Sequence, residues 1–582
     1  MPFFVRLAAP LAALVSVCTG KPLRLSSPSF LSPSFRKASS KMACSMSAFM
    51  SPDSCDWVSK GYVAQSARFR NAFTEQKKET GETIPITVLR KEDFSSWFKK
   101  QTEPVQEFLK FSGMGKFKSG KHVSIPSEGS SGKLRVVLCL PDRSLHLSLS
   151  PLVAYGGRAG KGPTSFRLEN AEGEPDVPHK EQLLLSWALG TYSFSRFKGG
   201  YEKKGKEAED EGEEEGAAKG VLCVPPGTDT EAVCSMASAI FLIRDLINTP
   251  CEFMGPQHIE KVVRELAGLF PEASVQSVVG DELLEKGYGQ IHSVGRAAAP
   301  ERAPRLVDLR WSPGGKGKER LPRLTLVGKG VAFDTGGLSM KSNEGMLLMK
   351  KDMGGAAHVL GLAKMIMTAG LPVNLRVLVP TVENNVAGNA YRPSDVITAK
   401  NGKTTEVGNT DAEGRLILAD ALVEAELENP DLLIDFATLT GAARTALGPE
   451  LPAFFCNDDE TADACLQSCR EAHDDVWRLP LWPSYRDGLK SDVADMKNVA
   501  GKAGGGAIVA ALYLQNFLAD RGASTGASWD KDGGYRRTQG ETPWMHFDLM
   551  AWNPDGKPGK QKGGEAQALR GLFKMLQKKF TQ

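Results

Sequence analysis

Apolar and polar positions alternate with two different periods along this chain, and the change of period outlines its elements. Between Lys60 and Lys198, short alternating runs at Val123–Ile125, Leu134–Leu140 and Leu145–Leu149 predict strands. Gln182–Tyr192 then carries apolar residues at helical spacing, and a second helical pattern runs from Glu231 to Ile247. That pattern stops at Asn248-Thr249-Pro250, because the residue before a proline is pushed out of the helical region. Beyond Pro250 the periods interleave. Leu324–Val327, Leu375–Val379 and Leu432–Phe436 predict buried strands; Gly355–Thr368 and Arg415–Glu426 predict helices. Strands without polar alternation are covered on both faces, so the pattern predicts a doubly wound, mostly parallel sheet with helices on both sides. The expected fold class is α/β. A smaller N-terminal α/β domain (51–200) is followed by a linking segment and helix (221–250) and a larger C-terminal α/β/α domain (251–582).

Three stretches depart from these periods. Residues 1–50 begin with an apolar run, Phe3–Cys18, too short for the ~20 residues that a membrane helix needs. Ser-rich basic sequence follows, and the first acidic residue is Asp53, the pattern of a targeting leader or a disordered N-terminus. Residues 201–220 are a Lys/Glu-rich, low-complexity insert, and 521–540 a Gly/Ser-rich one; both are expected to be solvated loops.

Composition narrows the class. With 41% hydrophobic and 24% charged residues over 582 positions, the chain has material for a large soluble core. A net charge of +3 from 72 basic and 69 acidic residues gives no ground for expecting a nucleic-acid or membrane partner. The 10 cysteines include no C-x-x-C pair and no N-glycosylation sequon accompanies them, so they read as free thiols of a reducing compartment. Cys465 and Cys469, four apart, read as two small buried residues on one helical face. None of the 8 histidines stands three or four residues from another, so any metal must be held mainly by other ligands.

Candidate chemistry concentrates in two segments. From Leu326 to Asp352 a strand ends at Val327, and Lys329 and Asp334 follow among Gly328, Gly330, Gly336 and Gly337. Glycines allow close backbone approach to a ligand, and strand carboxyl ends are where open α/β sheets bind them. Asp352 is expected at the start of the next helix, where a lone Asp would ordinarily be a cap. The second segment, Asn409-Thr-Asp-Ala-Glu-Gly-Arg-Leu416, leads into an apolar helix; in an extended turn, Asp411, Glu413 and Arg415 would project to one side. Packing two carboxylates against a buried helix is unfavourable unless cations neutralise them. If Asp334, Asp352, Asp411 and Glu413 converge, two divalent ions would balance them, and hard carboxylates suit Mg²⁺, Mn²⁺ or Zn²⁺.

Gly328-Lys-Gly…Phe333-Asp-Thr-Gly-Gly…Met340-Lys, Asp352-Met-Gly-Gly-Ala-Ala and Asn409–Leu416 resemble the signature of the leucyl aminopeptidase (cytosol aminopeptidase) family, with looser agreement from Ala237 to Phe573. The resemblance implies a catalytic domain in which Asp334 and Glu413 bridge two metal ions. Asp411 would complete one site, and Lys329 with Asp352 the other. It implies that Lys341 stabilises a developing oxyanion and that Arg415 holds a bicarbonate serving as general base. Met349, Asn409, Ala412, Thr438, Leu439 and Gly441 would line a largely apolar first side-chain pocket suited to leucine-like residues. His358 and His546 are left with structural parts. Also implied are peptide substrates with a free N-terminus, a homohexamer built as a dimer of trimers, and residence in the cytoplasm, or in a plastid or mitochondrial matrix if 1–50 is a leader. The alternatives from other directions are a dipeptidase biased to Cys-Gly and a non-catalytic DNA-binding scaffold. Two short matches fail on context: Gly402-Lys403-Thr404 lacks the first glycine of a phosphate loop, and Gly522–Gly526 lies in the second insert with no strand before it.

Overall fold

The computed structural model describes residues 72–75, 83–126, 134–141, 147–157, 164–197, 220–314, 321–501, 504–518, 528–529, 535–536 and 541–581. The expected leader (1–50), nearly all of the first insert and most of the second lie outside the described residues.

Six strands form the first sheet: β1 (Phe73–Glu75), β2 (Thr83–Leu89), β3 (His122–Pro126), β4 (Leu134–Cys139), β5 (Thr164–Glu169) and β6 (Gly220–Val224), in the order β1-β6-β5-β2-β4-β3. The segment expected as a linker from 221 thus begins with a strand of this sheet. Helix α1 (Lys180–Gly190) buries Leu183–Leu185 and Trp187, and the Trp187 indole packs on Phe166 of β5. The strand expected at Leu145–Leu149 does not form where described: residues 147–149 are helical turn and lead into a 3-10 helix, Ser150–Gly157. Its apolar side chains satisfy a short buried turn as well as a strand, and the Ser186 hydroxyl accepts the Leu149 N–H at 2.6 Å.

Helix α2 (Thr230–Asn248) starts where Asp229 accepts the Ala232 N–H and ends at Thr249-Pro250. It is followed by α3 (Pro256–Ala267) and the second sheet. In chain order its strands are β7 (Ser274–Val279), β8 (Arg305–Trp311), β9 (Arg323–Gly328), β10 (Gly330–Asp334) and β11 (Asn374–Asn384). A hairpin, β12 (Val396–Thr398) and β13 (Thr404–Glu406), stands apart and turns at the Gly402-Lys403-Thr404 match. The sheet continues with β14 (Leu432–Ala437), β15 (Ala453–Cys456) and β16 (Trp477–Arg478); β17 (Met496–Lys497) joins the hairpin, and β18 (Ser528–Trp529) pairs with β19 (Tyr535–Arg536). The last strand of this sheet is β20 (Trp544–Asp548), and the order is β16-β15-β20-β14-β9-β11-β8-β7 with β10 also on β11. β20, β14, β9 and β11 run parallel at the centre, and antiparallel strands flank them on both sides.

This is the α/β class that the hydrophobic pattern predicts. Helix α4 (Gly354–Thr368) packs against β9 and β14 with α2 against α4, and α5 (Gly414–Glu426) packs against β9 and β11. Both helices are buried almost throughout, which is why their sequences lack a polar stripe. Cys465 and Cys469 are buried free thiols 3.9 Å apart on one helix, as their spacing suggests. Among the described residues no helix is long and apolar enough to cross a membrane.

Candidate metal centre

The site forms where the parallel strands end. β9 pairs with β11 on one side and β14 on the other, so Lys329, just past β9, lies level with the end of β14, and its N–H donates to Phe436 O at 2.9 Å. Asp334 closes β10 opposite Asn384 of β11. Lys329 O accepts the Ala356 N–H at 2.8 Å, which draws the start of α4 against the strand ends and brings Asp352 with it. That approach needs glycine: a side-chain carbon at Gly355 would lie 2.1 Å from Phe436 O. Asp352 is not the cap of α4, as a lone Asp there would be. It lies in the 3-10 turn Met349–Met353, and its Oδ1 accepts from Thr438 Oγ1 at 2.7 Å.

The segment 409–416 is also not the extended turn that its alternation suggests. Glu413 already has helical dihedrals as the residue preceding α5, and Arg415 lies within that helix. Glu413 and Arg415 reach their places through the first turn of a helix, so the three charged side chains do not line up by strand alternation. Gly414 lets this turn close on the lysine, since a side-chain carbon there would lie 2.7 Å from Lys329 Nζ.

The structure brings together all four carboxylates and both lysines. Lys329 Nζ lies 2.8 Å from Asp352 Oδ2 and 2.9 Å from Glu413 Oε1; Lys341 Nζ lies 2.8 Å from Asp334 Oδ2 and also contacts Asp411 Oδ1. One oxygen from each of Asp334, Asp411 and Glu413 falls within 4.8 Å of the others. Asp334, Asp352, Glu413 and Lys329 are buried, while Asp411 and Lys341 are partly open. Even with Lys351 beside Asp352, three ammonium groups do not balance four carboxylates here, and Glu413 Oε2 is buried without a hydrogen-bond partner. Burial and the neighbouring Asp352 push the Asp334 carboxyl up to about 6, and burial together with Asp334 pushes Glu413 up to about 7. Asp411 is raised by burial as well. Burial also acts on Asp352, but Lys329 and Lys351 outweigh it and hold that carboxyl low. Burial would strip the proton from Lys329, yet Asp352, Glu413 and Asp334 hold it firmly. With no divalent ion bound, Lys329 is thus a cation standing between carboxylates; to act as a ligand it must lose that proton to a stronger positive charge.

Arg415 is buried. Its Nη1 donates to Asn498 O at 2.6 Å, its Nε has no partner, and among the described residues no carboxylate pairs with it. A buried guanidinium with an idle donor fits a small anion. Of the expected pocket residues, Thr438 touches Asp352 and its carbonyl accepts from Lys329 Nζ at 3.1 Å. Leu439 N–H donates to Asp548 Oδ1 at 3.1 Å, and Gly441 opens α6 (Gly441–Leu447) with its surface exposed. Asn409 Oδ1 accepts the Asp411 N–H at 2.8 Å, and Ala412 and Met349 are half-buried. His358 donates from Nδ1 to Gly354 O at 2.6 Å and accepts the Gln567 N–H at Nε2, and His546 Nδ1 binds Asp435 at 2.6 Å; both rings are fully buried.

Several positioning residues carry no motif and were missed by sequence reasoning. Asn384 Nδ2 donates to Asp334 Oδ1 (2.9 Å) and to Thr410 O (3.0 Å). Thr410 Oγ1 donates to Gly336 O and accepts the Ser339 N–H, clamping one acidic loop to the other. Asn498 Oδ1 accepts the Gly408 N–H while its Nδ2 donates to Asn409 O. A short polar side chain at the end of a buried strand, as Asn384 is, was the one signal that could have pointed to them.

A carboxylate cluster short of positive charge, at the carboxyl edge of a parallel sheet, defines an α/β protein built around a cation site. The chain belongs to the cytosol aminopeptidase family: residues 241–573 match the model of the "Cytosol aminopeptidase family, catalytic domain", and residues 84–208 match the "M17 aminopeptidase, N-terminal domain". A "Probable cytosol aminopeptidase" of Xanthomonas campestris pv. campestris is 43% identical over 341 residues, 58% of this chain and 64% of that protein. The match therefore spans less than two thirds of that relative's length. The crystal structure of a cytosol aminopeptidase from Coxiella burnetii is similar at a TM-score of 0.72 and 41% identity, covering 86% of this chain and 98% of that one. The bottromycin maturation enzyme BotP in complex with Mn is similar at 0.69 and 29%, covering 85% and 99%.

Proposed function

We propose that this protein is a metal-dependent aminopeptidase that releases N-terminal, preferentially leucine-like residues from peptides. The observation that carries the reading is the charge deficit of the centre: four carboxylates converge on two lysines, and a buried oxygen of Glu413 lacks any partner. In this reading Asp334, Glu413 and Asp411, with Lys329 and Asp352, would be the residues that hold two divalent ions, Asp334 and Glu413 shared between them. Mn²⁺ or Zn²⁺, with Mg²⁺ third, would polarise the scissile carbonyl and lower the pKa of a water. The Mn complex of BotP supports the donor chemistry.

The remaining steps belong to side chains. Lys341, held at its ammonium by Asp334 and Asp411, keeps its proton and is placed to steady negative charge developing on the carbonyl oxygen. Arg415, with an idle Nε, would hold bicarbonate, which would supply a general base that no histidine provides. Met349, Ala412, Leu439 and Gly441 give the first side-chain pocket an apolar lining, with Thr438 and Asn409 as its polar edge. In this reading the substrate's free α-amino group, in its neutral form, would be held at the same metal centre, which would account for action from the N-terminus only. We extend the reading to the cytoplasm, in keeping with the names of its relatives, and, from the family resemblance alone, to a homohexamer.

The test is hydrolysis of a leucine amide reporter by metal-stripped protein, with Mn²⁺, Zn²⁺ or Mg²⁺ restored in turn. Restored turnover that is lost in Asp411→Ala and Lys341→Ala is the expected result. Folded protein that turns over no aminoacyl reporter with any of these ions overturns the reading.

A further inference from the structure

We propose that Arg444 is a specificity-determining residue that receives the side-chain carboxylate of an N-terminal glutamate. The inference rests on the aminopeptidase reading and deepens it, adding an acidic substrate class to the leucine-like one.

Arg444 is the fourth residue of the short helix α6, three positions after Gly441 and six after Thr438. Its Nη2 lies 3.4 Å from where a side-chain carbon on Gly441 would be, so the guanidinium covers the bare face of that glycine. Thr438, three residues before Gly441, hydrogen-bonds Asp352 of the candidate centre at 2.7 Å, which ties this turn to the reacting end of the cleft.

The charge of Arg444 is left unmatched. A guanidinium keeps its proton at any working pH, and among the described residues no carboxylate makes an ion pair with this one. Its one hydrogen bond runs from Nη1 to the thioether Sδ of Met550, 3.2 Å away, and a thioether is a weak acceptor that is easily given up. The nearby Asp548 is already committed: its Oδ1 accepts the N–H groups of Leu439 and Thr440, and its Oδ2 accepts the Thr440 hydroxyl at 2.6 Å. Arg444 is also half-buried, so water hydrates it only in part. A half-buried cation with a weak acceptor and no acid partner, at the edge of an otherwise apolar pocket, suits a side chain with an apolar stem and an anionic tip. Glutamate has that form. Aspartate is one methylene shorter and carries its charge closer to the backbone.

The experiment compares glutamyl, leucyl and lysyl amides with one leaving group. The enzymes are Mn²⁺-loaded wild type, Arg444→Leu, Arg444→Lys and Arg444→Glu, each checked for a cooperative thermal transition. The expected result is a glutamyl-to-leucyl ratio of kcat/KM that falls about tenfold or more in Arg444→Leu, chiefly through KM. Arg444→Lys should keep part of that ratio, and Arg444→Glu should shift preference toward the lysyl amide. Leucyl hydrolysis with the ratio within about twofold of wild type in every folded variant overturns the role of Arg444 and leaves the aminopeptidase reading standing. Absence of turnover with all three amides and any metal in wild type overturns both.

Discussion

Two clusters of charge on the same sheet, one half-buried and one almost wholly buried, behave in opposite ways. At the β8–β11 edge, Arg376 bridges Asp308 at 2.8 Å and Glu424 at 2.7 Å, Arg310 reaches Glu428, and Lys400 and the Tyr288 hydroxyl complete Glu424. Three cations there face three carboxylates. Burial raises the Glu424 carboxyl, but Arg376 and Tyr288 outweigh it and the net displacement is downward. At the strand ends, Lys329 and Lys341, with Lys351 behind Asp352, face four carboxylates, and Asp334 and Glu413 are displaced upward to about 6 and about 7. The ingredients are the same and the balance differs. A closed network stabilises the fold by itself; the open one holds unfavourable charge that a further cation would relieve.

The largest test of this contrast is catalytic. Asp411→Ala or Glu413→Ala should abolish metal-dependent turnover of a leucine reporter, a loss of roughly 10³-fold or more, whereas Glu424→Gln should leave turnover per folded molecule near wild type. Turnover surviving in Glu413→Ala would break the contrast at its centre. Next comes Lys341→Ala, for which a drop in kcat of about 10²–10³-fold is expected with metal binding retained, as seen by calorimetric titration with Mn²⁺.

Stability should separate the clusters in sign. In metal-free protein, Glu413→Gln removes an unmatched carboxylate and should raise the denaturation midpoint, while Glu424→Gln breaks a satisfied pair and should cost about 1–3 kcal/mol in urea unfolding. Both variants moving the same way would dissolve the distinction. The smallest effect is the dependence on pH. Because the Asp334 and Glu413 carboxyls are raised in the fold, the native metal-free protein binds more protons than the unfolded chain between the ordinary carboxylate range and about pH 7. Their contribution to stability is therefore present at low pH and is lost as pH rises through about 7. Subtracting the Glu413→Gln profile from wild type should show it. Metal binding needs the deprotonated groups, so Mn²⁺ affinity should run the other way, falling by up to about tenfold per unit below pH 7 and more steeply below about 6, where Asp334 is protonated as well.

Legibility from sequence followed the range of the interactions. The helices Gly354–Thr368 and Gly414–Glu426 and the strands Arg323–Gly328 and Leu432–Ala437 lie within a residue or so of their expected bounds, because unbroken apolar runs and glycine or proline at their ends fix them locally. Leu145–Leu149 misled because a short apolar run suits a buried turn and a strand alike. The candidate residues themselves could be named from three short blocks. Their arrangement could not: an extended turn was expected over 411–415, whereas Glu413 already has helical dihedrals and the helix begins at Gly414.

The sequence alone determined the α/β alternation, the family and the identity of the carboxylates and lysines, since each depends on residues a few positions apart. Only the tertiary structure decided which charge faces which. Lys341 meets Asp411 seventy residues away because β9 and β10 follow one another along β11, with β14 on the other side of β9, and Asn384 and Thr410 lock the loops they release. The unpartnered oxygen of Glu413, the idle Nε of Arg415 and the raised carboxyls are likewise tertiary facts. Each measures how far a group is from water and how close it is to other charges, and neither distance is written in the order of the residues.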